Sequence, residues 1–220
     1  MSTQEKIFVY GSSGHAKVVL DIVERQGRAT VALVVDDDPA RAGQMVLGYR
    51  VAGGRGELVR QGAKAGLVVV AIGDNGARRK VAAWLESEGF AFVTAVHPHA
   101  VIGREVRLGE GTVVMAGVVV NPDSEIGMHC ILNTGASVDH DCRVGDGVHV
   151  APGSHLCGGV SVGAGAFIGA GAVVAPGRRI GADAIIAAGA VVLKDVPERA
   201  VVAGNPARSL KDDESTHSSD

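Results

Sequence analysis

The sequence predicts two domains: a small α/β domain with a parallel sheet over residues 1–95, then a parallel β-helix over residues 96–210. Three observations carry this. From position 96 to position 192 every sixth residue, seventeen in a row, is Val, Ile or Leu. Upstream of position 96, short apolar runs alternate with amphipathic segments instead. The composition agrees: Gly is 32 of 220 residues, about twice its average usage, and aromatics are only 3%. A core short of large rings is filled by Val, Ile, Leu and Ala, which suits thin, regular layers.

Taken along the chain, residues 7–10 (IFVY) are a short apolar strand and residues 11–15 (GSSGH) a glycine turn. A helix follows over 16–26, with Val18, Val19, Ile22 and Val23 spaced for one face. Residues 31–35 are a second strand, ended by Asp36-Asp37-Asp38-Pro39. Residues 57–61 read as a short helix, 67–73 as a buried strand, 75–88 as a helix and 90–93 as a last strand. Strands alternating with helices give a parallel sheet, here a Rossmann-like domain.

From residue 96 the chain reads in sixes: VHPHAV, IGREVR, LGEGTV and onward. The first residue of each six points inward, and the fifth is mostly small, as at Ala100, Ser124, Cys130, Ala136, Ala166 and Ala172. A bulky aliphatic fills the interior while a small residue lets the chain turn a corner. Three sixes make one coil, so residues 18 apart stack about 4.8 Å apart along the axis. The 102 residues from 96 to 197 make a little under six coils. Hexapeptide solenoids of this kind wind left-handed, an exception to the right-handed crossover rule. Cys130 and Cys142 fall at the small inward position and read as packing residues, not reactive thiols.

The charges exclude several classes of function. Lys and Arg number 21 against 24 Asp and Glu, a net charge of −3 with no basic stripe, so no nucleic acid is an expected partner. No apolar stretch approaches the roughly 20 residues that span a bilayer. The first residues lack a secretory pattern, so the expected compartment is the cytoplasm. Cys130, Cys142 and Cys157 are an odd set without CxxC spacing, which indicates neither a disulfide framework nor a zinc cage. Among His129, His140, His149 and His155 none is 18 residues from another, so no stacked metal site is expected. Residues 211–220 are polar and read as a disordered tail.

Two places carry chemistry. Ser13, Gly14 and His15 lie where the first strand hands over to a helix, and free amides there can receive a phosphate. The turn departs from GxGxxG at its third position, and the half-fold is small for a dinucleotide, so a single nucleotide fits better. Asp36, about 20 residues on, stands where a ribose-binding carboxylate would. A tight turn without a ligand is the plain alternative. The second place is His140-Asp141, on the outside of the solenoid. Packing does not need a histidine there, and a carboxylate neighbour fixes its tautomer and raises its basicity, as a general base requires. A solvated turn histidine is the alternative. Gly158 is His140 plus 18, so its N–H lies one coil above, placed to receive an oxyanion. Ala170 and Ala188 also differ by 18 and form a small-residue ladder along which an extended ligand can lie. His149 is half a coil from His140, on another side of the prism, and could meet it across a subunit interface.

The motifs GSSGHAKVV, VAIGDN (70–75), ILNTGASVDHDC (131–142) and VVAGNPARSL (201–210) together resemble the bacterial sugar acetyltransferases of NeuD and PglD type. The likeness covers residues 5–210 and is strongest to N-acetyltransferases of nucleotide-linked 4-amino-4,6-dideoxysugars, the bacillosamine and perosamine type. It implies acetyl-CoA as co-substrate, no metal, and a homotrimer with active sites between neighbouring β-helices. It implies His140 as the base, with Asp141 raising its basicity where some relatives carry Glu. His149 is implied as an acetyl-CoA contact, and Ala170 and Ala188 as lining the pantetheine arm. Ser13, Gly14, His15, Asp36, Asp37 and Gly73 are implied in the nucleotide-sugar site, with Asn133 a further substrate contact. The amine would attack the thioester directly, since no Cys or Ser stands beside the base. An O-acetyltransferase acting on a sugar hydroxyl keeps the same fold and base and stays open, as does a non-catalytic solenoid. UDP and GDP, the sugar's stereochemistry and the surface glycan or O-antigen served are left open too.

Overall fold

A computed structural model describes residues 5–61 and 66–210; the expected tail over 211–220 lies outside the described residues. The chain divides into two compact units, one of Met1–Pro98 with Glu110–Val113, the other of His99–Gly109 with Val114–Asp220.

The first unit is a parallel sheet with helices. β1 (Glu5–Tyr10) is followed by α1 (Gly14–Gln26) and β2 (Ala29–Val35). A short hairpin, β3 (Met45–Val46) and β4 (Tyr49–Arg50), precedes α2 (Arg55–Arg60). Then come β5 (Leu67–Val70), α3 (Asn75–Ser87) and β6 (Ala91–Phe92). α1 forms because Ala16, Val19, Leu20, Ile22 and Val23 make one buried stripe. Gly27 ends it at φ 63, and its N–H returns to the Val23 and Glu24 carbonyls. Asp74 caps α3 by accepting from the Ala77 N–H at 2.7 Å. Tyr10, Val35, Leu58, Val68, Val70, Leu85, Phe90 and Phe92 pack into one core.

The strand order is β2-β1-β5-β6. The chain leaves β1 toward one edge and returns to pair β5 on its other side. The carboxyl ends of β1 and β5 are therefore the topological switch point, the crevice where open α/β sheets take ligands.

Several element ends shift by one or two residues, α1 beginning at Gly14 inside the expected 11–15 turn and β2 at Ala29, and three further details differ from the sequence reading. The expected strand over 67–73 ends at Val70: the Ala71 N–H makes a last bond to Tyr10 O at 2.7 Å, and the chain then turns into a loop. The short helix starts two residues early, at Arg55. The β3–β4 hairpin was not foreseen: Leu47 (φ 44) and Gly48 (φ 84) supply the two positive-φ corners such a turn needs, and Leu is not the residue that signals one.

The second unit is the β-helix, now seen as about six coils of two-residue strands on three faces. One face stacks Ile131–Leu132, His149–Val150, Phe167–Ile168 and Ile185–Ile186. The second runs from Val101–Ile102 through Ser137–Val138 and His155–Leu156 to Val191–Val192. The third runs from Arg107–Leu108 through Arg143–Val144 to Arg179–Ile180. Each of these pairs is parallel with partners 18 apart, until the last coil, where Ile185 pairs with Val201, 16 residues on, and Val201–Ala203 turns back antiparallel onto Arg208–Ser209. The leading aliphatics Leu132, Val138, Val150, Leu156, Ile168, Val174 and Ile186 are buried.

The glycine excess has a position as well as a number. The fourth residue of each six turns the corner at positive φ, from Gly111 (φ 71) to Gly189 (φ 69). Where a side chain stands there it is mostly Asp or His, as at Asp123, His129, Asp141 and Asp183. Among the described residues no helix is long and apolar enough to cross a membrane.

Candidate active site

His140 and Asp141 sit on the corner turn that joins the strands Ser137–Val138 and Arg143–Val144. Asp141 is at φ 58, the corner conformation, and this bends its carboxylate back toward the preceding side chain. Its Oδ2 lies 2.7 Å from His140 Nδ1. A carboxylate only accepts, so Nδ1 carries a proton, and in the neutral ring Nε2 is left with the lone pair. Both side chains are open to solvent, 61% and 67% exposed. The Asp141 bond, with the Asp139 charge behind it, raises the imidazole above its ordinary pKa.

Gly158 stacks on this ring, where the 18-residue interval puts it. A Cβ on Gly158 would stand 2.7 Å from both Cε1 and Nε2 of His140. The Gly159 N–H donates to His140 O at 2.9 Å and ties the two coils. The Gly158 N–H itself makes no hydrogen bond among the described residues.

His149, on the first face, meets Asn133. Asn133 Oδ1 accepts from the Thr134 N–H at 2.8 Å, which leaves its Nδ2 to face His149 Nε2 at 3.1 Å. Phe167 packs edge-on to the His149 ring, centroids 5.2 Å apart. Ala170 and Ala188 are exposed on one corner column, with Pro152 below them. Pro152 O accepts from Gly171 N at 2.9 Å and Ala170 O from Gly189 N at 2.8 Å, so the column is a regular, side-chain-poor edge. Within one chain His140 and His149 therefore lie on different sides of the prism, as their nine-residue spacing implied.

In the first unit the predicted loop residues gather at the switch point. Gly14 and Gly73 leave β1 and β5, and a Cβ on either would meet nothing within 4 Å. Ser13 precedes α1 without a side-chain capping bond, and His15 is half-buried in its first turn. Asp36 faces inward to the loop: Ser12 donates to its Oδ2 from N at 2.8 Å and from Oγ at 2.7 Å, and Asp38 N to its Oδ1 at 3.0 Å. Its first duty is to hold the glycine turn.

Asp37 is clamped by Arg55, which donates from its backbone N at 3.1 Å, from Nε at 3.0 Å and from Nη2. The guanidinium bond holds the Asp37 carboxyl down at about 2. Arg55 also lies over the Trp84 ring at 4.7 Å. A depressed folded-state pKa stabilises above the unfolded value, about 3.9, and the gain is lost as pH falls toward the folded one. Arg55→Ala should return the Asp37 titration, followed by carboxyl NMR, to the ordinary carboxylate range; an unmoved titration would refute the clamp.

Sequence reasoning passed over several side chains that position these groups. Asp139 Oδ1 accepts from the His140 N–H at 2.9 Å and from Asn121 Nδ2 at 2.9 Å. Asn121 is Asp139 minus 18, so the stacking rule could have found it. Arg78, only 1% exposed, braces the 72–75 loop through Nη1 to the Ile72 and Gly73 carbonyls, 3.1 and 3.0 Å. Among the described residues no group of three or more His, Cys, Asp or Glu could hold a metal ion.

Comparison with known proteins bears on both units. Residues 6–85 match the PglD N-terminal domain, and residues 141–176 and 159–194 match the bacterial transferase hexapeptide (six repeats). A mutant of perosamine N-acetyltransferase from Caulobacter crescentus, in complex with CoA and GDP-perosamine, is similar at TM-score 0.87 and 46% identity, covering 94% of this chain and 97% of that one. The acetyltransferase domain of PglB from Neisseria gonorrhoeae, in complex with acetyl coenzyme A, is similar at TM-score 0.87 and 35% identity, over 94% of this chain and 100% of that. UDP-N-acetylbacillosamine N-acetyltransferase of Bacillus subtilis is 34% identical over 122 residues, 51% of this chain. That match spans about half, 52%, of the curated relative's length. These likenesses assign the solenoid to the left-handed hexapeptide type.

Proposed function

Because this chain belongs to the family of hexapeptide-repeat sugar N-acetyltransferases that includes perosamine N-acetyltransferase, we propose that it moves the acetyl group of acetyl-CoA to the C4 amine of a nucleotide-linked 4-amino-4,6-dideoxysugar. The observation that carries the reading is the His140–Asp141 pair, with the carboxylate on Nδ1 and the Nε2 edge of the ring lying against Gly158.

The steps follow from those atoms. The neutral amine attacks the thioester carbonyl carbon, and the nitrogen becomes cationic as the C–N bond forms. His140 Nε2 takes the proton, and Asp141 stabilises the resulting imidazolium. The carbonyl oxygen, now an oxyanion, accepts from the Gly158 N–H. Collapse breaks the C–S bond, and the CoA thiolate leaves with the proton that His140 took from the amine, which returns the imidazole to its neutral form. No side chain forms a covalent bond.

His149 and the Ala170–Ala188 edge take acetyl-CoA, the alanines flanking the pantetheine arm. Residues 1–95 hold the nucleotide sugar through Ser13, Gly14, His15, Asp36, Asp37 and Gly73, and Asn133 reaches the sugar. A homotrimer completes the site by bringing the His140 corner of one protomer to the His149 face of its neighbour. The outward residues support that arrangement: the first two faces show Phe167, Ile185, Val101 and Val173, while the third shows Arg107, Glu125, Arg143 and Arg179. Two faces that carry apolar patches beside His149, Ser137 and His155, against a third that is charged, suit two neighbours. The setting is the cytoplasm, where acetyl-CoA is made, and the product feeds a bacterial surface glycan or O-antigen.

Thiol release from acetyl-CoA against a panel of nucleotide sugars tests the reading. Release with GDP-perosamine or a UDP-linked 4-amino sugar, and none with GDP-mannose, is expected. Release with hydroxyl sugars alone would make the enzyme an O-acetyltransferase. Gly14→Phe tests the division of ligands: its side chain enters open space, so the fold survives while the phosphate's place is filled. Calorimetry should show GDP-perosamine affinity lost and CoA affinity kept. Equal loss of both without unfolding would contradict the assignment.

A further inference from the structure

The turn that bears His140 is built differently from the plain corners of the solenoid. In turns 133–136, 151–154, 169–172 and 187–190 the last N–H donates directly to the first carbonyl, at 3.0–3.2 Å. In turn 139–142 the hydroxyl of Ser124, one coil below and fully buried, stands between them. Cys142 N–H donates to Ser124 Oγ at 3.1 Å, and Ser124 Oγ donates to Asp139 O at 2.7 Å. The next turn in the column, 157–160, repeats the device with sulfur. The Cys142 thiol donates to Cys157 O at 3.3 Å, and the Val160 amide turns onto the sulfur. One coil higher Val160 lies beneath turn 175–178, which closes directly through Arg178 N and Ala175 O at 3.4 Å. A polar residue below the corner is not enough by itself: Ser154, beneath turn 169–172, keeps its Oγ on Ala151 O at 2.6 Å within its own turn, and 169–172 closes directly, whereas the Ser124 hydroxyl and the Cys142 thiol reach up into the turn above.

An inserted oxygen or sulfur lengthens the ring that closes the turn and so sets how far apart its ends stand, at the same corner φ as in the plain turns (58 at Asp141 and 68 at Gly159, against 67 at Gly177). In these two turns the middle residues include His140 and Gly158, the groups that contact each other at the proposed reacting centre. We propose that Ser124 and Cys142 are positioning residues, which open two successive corner turns so that the His140 imidazole and the Gly158 N–H face one reacting carbonyl. This rests on the reading of His140 as the base. A direct Cys142 N–H to Asp139 O bond would restore an ordinary corner and swing the imidazole away. Cys130 gives an internal comparison. Its buried thiol bonds Gly145 O at 3.1 Å under a turn that carries no proposed functional group.

The test measures kcat, both KM values and Tm, with acetyl-CoA and GDP-perosamine, for Ser124→Ala, Ser124→Cys, Cys130→Ala and His140→Ala. Ser124→Ala should lower kcat by roughly tenfold, as misplacement by a fraction of an ångström does, with both KM values little changed. Ser124→Cys supplies a bridging atom of the kind used one coil above and should recover most of kcat. Cys130→Ala should lower Tm and leave kcat intact. Cys142→Ala and Cys142→Ser repeat the comparison at the Gly158 turn, should Ser124→Ala fail to fold. A folded Ser124→Ala with wild-type kcat overturns the proposal, as does a cysteine variant no better than alanine. If His140→Ala also keeps its kcat, the base assignment has failed; if only Ser124→Ala does, the base stands and the positioning role falls.

Discussion

His140→Ala is expected to lower kcat by roughly 10²–10⁴, the usual worth of a positioned general base. The side chain is 61% exposed and on a turn, so its loss should scarcely disturb the solenoid. Binding should persist, because acetyl-CoA is assigned to His149, Ala170 and Ala188, and the nucleotide to the loops around Gly14 and Asp36. The measurement is steady-state kinetics beside calorimetry for each ligand. A variant that keeps most of its kcat would put the base elsewhere, with His149 or an unassisted substrate amine as the successors. Asp141→Asn should cost less, since it removes the hydrogen-bonded charge behind the imidazole and leaves the ring in place.

Gly158→Ala is expected to damage the chemistry while sparing the fold. Gly158 is not at positive φ, so alanine fits its backbone. The new Cβ would instead collide with Cε1 and Nε2 of His140 at 2.7 Å, and a solvent-exposed imidazole is what yields. The fold should therefore survive while the base is pushed off its position. A loss in kcat of about 10- to 100-fold is expected, in line with a displacement near 1 Å, with Tm close to wild type. Wild-type kcat in Gly158→Ala would show that the ring does not work from the position seen in the structure.

The solenoid was legible because its signal is one-dimensional. A strict period of six fixes which residues point inward, and multiplication by three fixes which residues stack. That arithmetic placed Gly158 over His140 and Ala188 over Ala170 without coordinates. The same rule, applied one coil down, would have exposed Asn121 beneath Asp139. Ser124 was read as a small corner residue, which is true of its volume; nothing in the pattern announces that its hydroxyl replaces a backbone bond. In the first unit the periodicities marked helices and strands, yet the hairpin at Leu47-Gly48 escaped because leucine hides a positive-φ turn. Arg55 and Arg78 escaped for another reason: each acts through a loop far from it in sequence or through carbonyls, and a lone arginine carries no pattern. Asp36 shows the converse, a position signalled by spacing whose oxygens the fold has partly committed to Ser12 and Asp38.

The pH dependence of kcat/KM for GDP-perosamine, compared between wild type and Asp141→Asn, tests the catalytic account most directly. A general base works in its unprotonated form, so the wild-type profile should climb with rising pH through an apparent pKa above the ordinary histidine value. The raised position is owed first to the Asp141 hydrogen bond. Asn keeps the positive-φ corner and removes the charge, so the acid limb in Asp141→Asn should move to lower pH, with a smaller plateau. In His140→Ala, measured alongside, that limb should vanish and leave only the titration of the substrate amine. An acid limb that stays at the same pH in Asp141→Asn and persists in His140→Ala would contradict the account, since the group being titrated would then not be His140.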